Sequence, residues 1–252
     1  MEREAGLRDS IVERYSFLWG TIECVRPAEA YHYRWLKGKL SPGHLHGMAL
    51  DAGCGPGIDA AHMAQDGAAR VIALDPSDGG MLQARVRATG CPNLHPVQGR
   101  LERLPFPSHT FDFVYCYGVL HHLVRPEAGF SELVRVLKPH GVLAIYVYED
   151  FGKHTAIERG LLRLVTAIRR RTVRWPPRVL SRWCQFTAPF VFAAFTLPAQ
   201  LFAAVPLTRP LSRQIPFRHA ESPRRLIGDL AGFDGIHVLP HRGWLAHGRK
   251  RD

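Results

Sequence analysis

A chain of 252 residues, 46% hydrophobic and 22% charged, can bury a sizeable core; this excludes a disordered segment and fits one α/β domain with an insertion. Its five cysteines, Cys24, Cys54, Cys91, Cys116 and Cys184, form no C-x-x-C pair and no zinc spacing, so they read as reduced cytosolic thiols and no metal site is expected. The formal net charge of +11 is unevenly spread: between Asp150 and Glu221 stand Lys153 and eleven arginines, against the single acid Glu158. Such a block points to an anionic partner, with a solvated arginine face as the plainer alternative.

The N-terminus, Met1-Glu2-Arg3-Glu4, is charged and precedes no apolar run, so no signal peptide is expected. Leu7 to Trp19 reads as a helix with Ile11, Val12, Tyr15, Leu18 and Trp19 on one stripe, and Ala28 to Leu40 as a second, ended by Ser41-Pro42-Gly43. These helices either cover a ligand or pack outside the sheet. Strands and helices then alternate, which predicts a doubly wound parallel sheet. The strands are Met48–Asp51, Val71–Leu74, Leu94–Gln98, Phe111–Tyr117 and Gly141–Tyr148. Helices are expected up to Gln65, near Gly80–Thr89 and over Pro126–Leu137.

Beyond Tyr148 the pattern changes. Thr155–Arg171 reads as an amphipathic helix, and Trp183 to Thr208 holds no charged residue. That run is long enough to cross a membrane, but Pro189, Pro198 and Pro206 interrupt it. The chain also returns to the sheet with a short helix at Leu226–Ala231 and strands at Ile236–Leu239 and Gly243–Arg249. A single crossing would separate those strands from the first five, so the segment is expected to be an apolar lid. The domain plan is a helical extension over 1–46, a core over 47–149, a basic and apolar insertion over 150–220 and a closing piece over 221–252.

The most informative run is Met48-Ala49-Leu50-Asp51-Ala52-Gly53-Cys54-Gly55-Pro56-Gly57, a strand leading into G-x-G-x-G. Its glycines let the backbone turn sharply and approach a ligand. The spacing departs from the G-x-G-x-x-G of nicotinamide dehydrogenases. The next strand ends in Asp75, where a carboxylate can accept from both hydroxyls of a ribose. Cys54 is expected to be a small turn residue without a nucleophilic role.

These residues resemble motif D-x-G-x-G-x-G of the class I S-adenosylmethionine (SAM)-dependent methyltransferases. The likeness extends through Asp75-Pro76-Ser77, Met81-Leu82, Leu104-Pro105-Phe106, Phe111-Asp112-Phe113-Val114, Gly118-Val119-Leu120-His121-His122-Leu123 and Arg135-Val136-Leu137-Lys138-Pro139. Together these blocks are similar to the type 11-like branch acting on small molecules. The resemblance implies a Rossmann-like fold with a mostly parallel seven-stranded sheet, to which the residue pattern adds a helical N-terminal extension and an apolar helical insertion after strand 5. It implies SAM as cofactor. Gly53, Gly55 and Gly57 would pass close to the methionine and ribose parts. Asp51 would brace the loop and reach the amino group through water. Asp75 would hold the ribose hydroxyls. Pro76, Arg100 and Leu101 would border the adenine, and the backbone near Tyr117 would face the methionine end.

One position departs from the family pattern. Relatives carry an aspartate as adenine acceptor where this chain has Arg100, whose guanidinium has five donors and no acceptor. Stacking by Arg100, or substitution by Glu102, are the alternatives, and the change puts cofactor affinity and activity in question. The stretch before Gly232-Phe233 is also shorter than in relatives. His121 and His122 follow strand 4, at the edge where such sheets bind ligands, and either is a candidate general base.

The expected function is methyl transfer from SAM to an apolar or lipid-like small molecule, in the cytoplasm or at the inner membrane surface. A nucleic-acid methyltransferase is the alternative raised by the charge, but no Asn/Asp-Pro-Pro-Tyr/Phe motif follows strand 4. A degenerate fold acting as a membrane-associated partner protein is the other.

Overall fold

The computed structural model of the chain describes residues 2–21, 33, 36–37, 45, 47–148, 233–241 and 243–251, with scattered helical positions between 163 and 187. Two compact units emerge: Met1–Glu149 with Glu221–Asp252, and Asp150–Ala220. The elements of the first unit are, in chain order, α1 (Glu2–Thr21), β1 (Met48–Ala52), α2 (Ile58–Gln65), β2 (Arg70–Asp75), α3 (Asp78–Ala88), β3 (Leu94–Gln98) and β4 (Phe111–Tyr117). A 3₁₀ turn (Leu120–His122), α4 (Pro126–Val136), β5 (Leu137–Tyr148), β6 (Phe233–His241) and β7 (Gly243–Lys250) follow.

The central strands are apolar on both faces, as a sheet covered on two sides requires. In β2 every residue after Arg70 is buried. Alternation splits these residues between two cores. Ala49, Val71, Ala73, Phe113 and Tyr115 join Met63 of α2 and Met81 of α3. Leu50, Ile72, Leu74, Val114 and Cys116 join Phe130, Leu133 and Val136 of α4. The helices therefore lie on opposite faces, which is the doubly wound arrangement.

The sheet order is β3-β2-β1-β4-β5-β7-β6. β1 pairs in parallel with both β2 and β4, and β7 runs antiparallel to its neighbours β5 and β6. The order reverses at β1: the chain leaves towards β2 and β3, then crosses back to β4. Loops after β1 and β4 diverge there and leave a crevice at the strands' carboxyl ends. Observed boundaries differ from the sequence reading by a residue or two, apart from three starts: α1 begins at Glu2, ahead of the expected Leu7, β6 begins ahead of the expected Ile236, and β5 starts at Leu137 because its register with β4 continues past a bulge to Phe111. Phe233 opens β6.

The helices expected at 28–40 and 226–231 fall largely or wholly outside the described residues, as does most of the insertion. Among the described residues, no helix is long and apolar enough to cross a membrane.

Candidate active site

The crevice is a cavity of about 560 Å³ whose walls come from the carboxyl ends of β1, β2 and β4, the loop after β3, and α1. Gly53 and Gly55 turn its floor at φ of 84° and 51°, in the left-handed region that favours glycine. A Cβ on Gly53 would lie 2.3 Å from Val119 Cγ2, and one on Gly55 would lie 3.0 Å from the Trp19 ring. Both positions therefore exclude larger residues on space as well as conformation.

The loop's amides are engaged within the protein. Gly53 N and Cys54 N donate to Leu74 O at 2.7 and 3.0 Å, and Gly57 N donates to Cys54 O at 2.9 Å. Gly55 N donates to Asp75 Oδ2 at 2.9 Å. Pro56 has no N–H to give. A diphosphate cradle needs such amides pointing at the ligand, so this loop is not one, and the dinucleotide alternative loses its chemical basis.

Asp75 is 7% exposed and accepts at Oδ1 from both the amide and the hydroxyl of Ser77. With one bond already on Oδ2, a carboxylate of about four acceptor sites keeps one open. A ribose diol would meet that site and compete with the Ser77 hydroxyl for another.

Asp51 is 2% exposed, and its Oδ2 has no hydrogen-bond partner among the described residues. Burial first, then the charges of Asp59 and Asp75, raise its carboxyl well above the usual range. Asp59, in the first turn of α2, accepts from the Tyr115 hydroxyl at 3.0 Å while its Oδ1 is likewise unpartnered. Burial lifts Asp59 to about 6, against the Tyr115 bond, which lowers it. The same burial raises the Cys54 thiol and keeps it protonated, as a non-nucleophilic turn residue would be.

The other side of the cavity is α1. Ile11, Val12, Tyr15, Leu18 and Trp19 line it. The helix is seated on α3, where Gly79 N donates to Ser16 Oγ at 2.9 Å and a Cβ on Gly79 would fall 2.0 Å from Ser16 O. Two ion pairs tie its start to the loop after β3: Arg8 with Glu102 at 3.6 Å, and Arg100 with Asp9 at 2.8 Å. Tyr15 Oη and His122 Nε2 share a hydrogen bond of 2.9 Å. Of the two arrangements open to the N-terminal helix, α1 adopts the one that lines the cavity.

Asp51, Gly53, Gly55, Asp75, Pro76, Arg100, Leu101, Tyr117 and His122 thus all line one cavity. Gly57 sits behind it against Ala84 and shapes the start of α2. His121 is absent from the cavity wall; burial and neighbouring His122 hold it down at about 4, so it is neutral near pH 7 and a poor proton carrier there. Glu102 faces Arg8, and Arg100 faces Asp9, so neither is positioned by the loop alone. Sequence reasoning missed Asp59, Tyr115 and Ser77. Alternation along β4 relates Tyr115 to Tyr117, and the register opposes Tyr115 to Asp51, but only the sheet order reveals that pairing.

Comparison with known proteins agrees with this geometry. Residues 50–145 match the methyltransferase domain family. A sterol 24-C-methyltransferase of Yarrowia lipolytica is 31% identical over 150 residues, 54% of this chain and 39% of that protein. A demethylmenaquinone methyltransferase of Clavibacter sepedonicus is 38% identical over 96 residues, 38% of this chain and 39% of the relative. The chain thus spans about two fifths of the length of these curated relatives. A structure described as a putative SAM-dependent methyltransferase from Methanococcus maripaludis has the same fold, with a TM-score of 0.53 and 17% identity over 89% of this chain and 87% of that one. With the strand order, the glycine loop and Asp75 all in the same segment, residues 50–145 of this chain match the methyltransferase domain family and share the fold of SAM-dependent methyltransferases.

Proposed function

We propose that the chain transfers a methyl group from SAM to an apolar small molecule. The observation that carries this is one cavity in which the acid-lined floor of the sheet faces an apolar helix wall. The residues fit the cofactor: Asp75 keeps an open acceptor site for a ribose, two buried carboxylate oxygens lack partners among the described residues, and glycines keep the floor clear. Asp51, Asp75, Pro76, Arg100, Leu101 and Tyr117 would hold it. When bound, SAM supplies a methyl group on a positively charged sulfur.

The protein's part is to align the acceptor and exclude water. Ile11, Val12, Leu18 and Trp19 of α1, with Val119, Leu123 and Val124, form a dry surface suited to an apolar acceptor. His122, hydrogen-bonded to Tyr15, is the candidate to take a proton if the acceptor carries one on its nucleophilic atom. The sterol methyltransferase likeness and the uncharged run over 183–208 support a lipid-like acceptor, taken up at an anionic membrane surface.

The test is incubation of the protein with methyl-labelled SAM and separate lipid, polar-metabolite and RNA extracts. Label entering the organic phase is the expected result. Label confined to RNA would favour the nucleic-acid reading, and SAM binding without transfer to any extract would favour a binding protein of methyltransferase fold.

A further inference from the structure

Two walls of the cavity are made by α1 beyond Arg8 and by the loop after β4. On these walls, among the described residues, Tyr15 and His122 are the lining side chains able to accept a proton. The others are apolar apart from the Trp19 indole, which only donates. Tyr15 Oη and His122 Nε2 share a hydrogen bond of 2.9 Å. The Tyr15 ring stacks on Trp19 with centroids 6.2 Å apart, and the His122 ring lies 4.1 Å from that of His121. The pair is thus set into an apolar surface, where desolvation costs free energy that the shared hydrogen bond offsets in part.

We infer that the acceptor carries an acidic hydroxyl, as a phenol or enol does, and that Tyr15 relays its proton: the acceptor's O–H donates to Tyr15 Oη while the Tyr15 hydroxyl donates to His122 Nε2. This rests on the reading of the cavity as a methyl-transfer site. In the step, an electron pair of the acceptor oxygen forms the bond to the methyl carbon as the carbon–sulfur bond breaks and its electrons go to sulfur. The acceptor's proton passes to Tyr15 and the Tyr15 proton to His122. Tyr15 ends neutral, the positive charge ends on the imidazole, and His122 then returns its proton to water. Tyr15 is itself a phenol, so an acceptor of similar acidity exchanges a proton with it at little cost. An alkene carbon has no proton to give before attack and would leave the pair unused. The neighbouring His121 is held at about 4 by burial and by His122, so it stays neutral near pH 7 and leaves the charge to His122.

The test uses the full chain with methyl-labelled SAM and a lipid extract from cells lacking the protein. The expected product holds its label in mild alkali and releases it as methyl iodide in refluxing hydriodic acid, as a methyl ether does. Label that stays on carbon in hydriodic acid, or leaves as methanol in alkali as from a methyl ester, would overturn the inference and leave the methyltransferase reading standing. Absence of label from the organic phase would overturn both. Tyr15→Phe and His122→Gln should each slow transfer by about a hundredfold or more, and the double variant no further, because the two act as one relay. Affinity for S-adenosylhomocysteine should stay within about twofold in each, which separates a relay from a displaced helix. Losses that multiply in the double variant, or full activity in Tyr15→Phe, would refute the relay. A second measurement needs no turnover: nitrogen NMR of ligand-free protein, at a pH where imidazoles are neutral, should show His122 Nε2 without a proton and its signal moved in Tyr15→Phe. A protonated Nε2 would be the donor to Tyr15 and would refute the relay.

Discussion

In ligand-free protein near neutral pH, Asp59 is a carboxylate largely stripped of water, and its proton affinity is lifted from 3.8 to about 6. The folded state then binds more protons than the unfolded chain between about pH 4 and 6, so this residue's contribution to stability falls as pH rises through that window. Asp59→Asn removes the cost and should raise ligand-free stability at pH 7 by about 1–3 kcal/mol, read as an upward shift in a thermal melt. Asp51 from β1, Tyr115 from β4 and Tyr33 from the segment before β1 interact with Asp59. Asp75 predicts the opposite stability change. Its two oxygens face backbone N–H groups of Gly55 and Ser77, so in Asp75→Asn the amide NH₂ meets a donor whichever way it turns. A loss of about 1–3 kcal/mol in urea unfolding is expected, with weakened cofactor binding.

At the scale of elements, α1 is held by an interhelix bond and a clasp of charges. Gly79 lets it lie against α3, and Trp19 closes over Gly55. The Asp9–Arg100 pair has side chains 67% and 47% exposed, so it contributes at most about 1 kcal/mol. It nonetheless changes how Arg100 is to be probed. Arg100→Asp alone would restore an adenine acceptor but set it against Asp9. In the exchange Asp9→Arg with Arg100→Asp, the pair survives and the acceptor is present. The double variant should bind S-adenosylhomocysteine more tightly than wild type, and the single variant less tightly than the double. A titration in which both single and double variants bind more weakly than wild type would make Arg100 a direct contributor to cofactor binding.

At the scale of the whole molecule, the first unit is acid-lined at its cavity while the excess positive charge gathers in the unit Asp150–Ala220. Its described side chains include exposed Trp183 and Phe186, in contact with each other, alongside exposed arginines. Arginines near an anionic bilayer contribute about 1 kcal/mol each before screening, and interfacial aromatic residues add to that. In liposome flotation the protein should rise with anionic vesicles, rise less as salt increases, and lose binding when Arg169, Arg170 and Arg171 become glutamate. Absence from every vesicle fraction at all salt concentrations would instead assign the segment to a purely intramolecular role.

The sequence by itself determined the features written in short windows. Strands β3 and β4 were legible to the residue because runs such as Phe111–Tyr117 are apolar and bounded by turn residues. Gly53 and Gly55 were legible because turn conformation is a local demand, and Asp75 because it ends a strand beside that turn. Tertiary structure alone decided what meets across distance. Tyr115 reaches Asp59 over 56 positions, Arg100 reaches Asp9 over 91, and Tyr15 reaches His122 over 107. No periodicity spans such separations. They follow from the crossover at β1, which brings β4 beside β1, and from the seat on Gly79 that lays α1 across the crevice. A side chain's type and spacing can state that it is able to bind a cation or an apolar ligand; which partners it keeps, and which of its atoms remain open, is fixed only when the sheet order brings its neighbours to it.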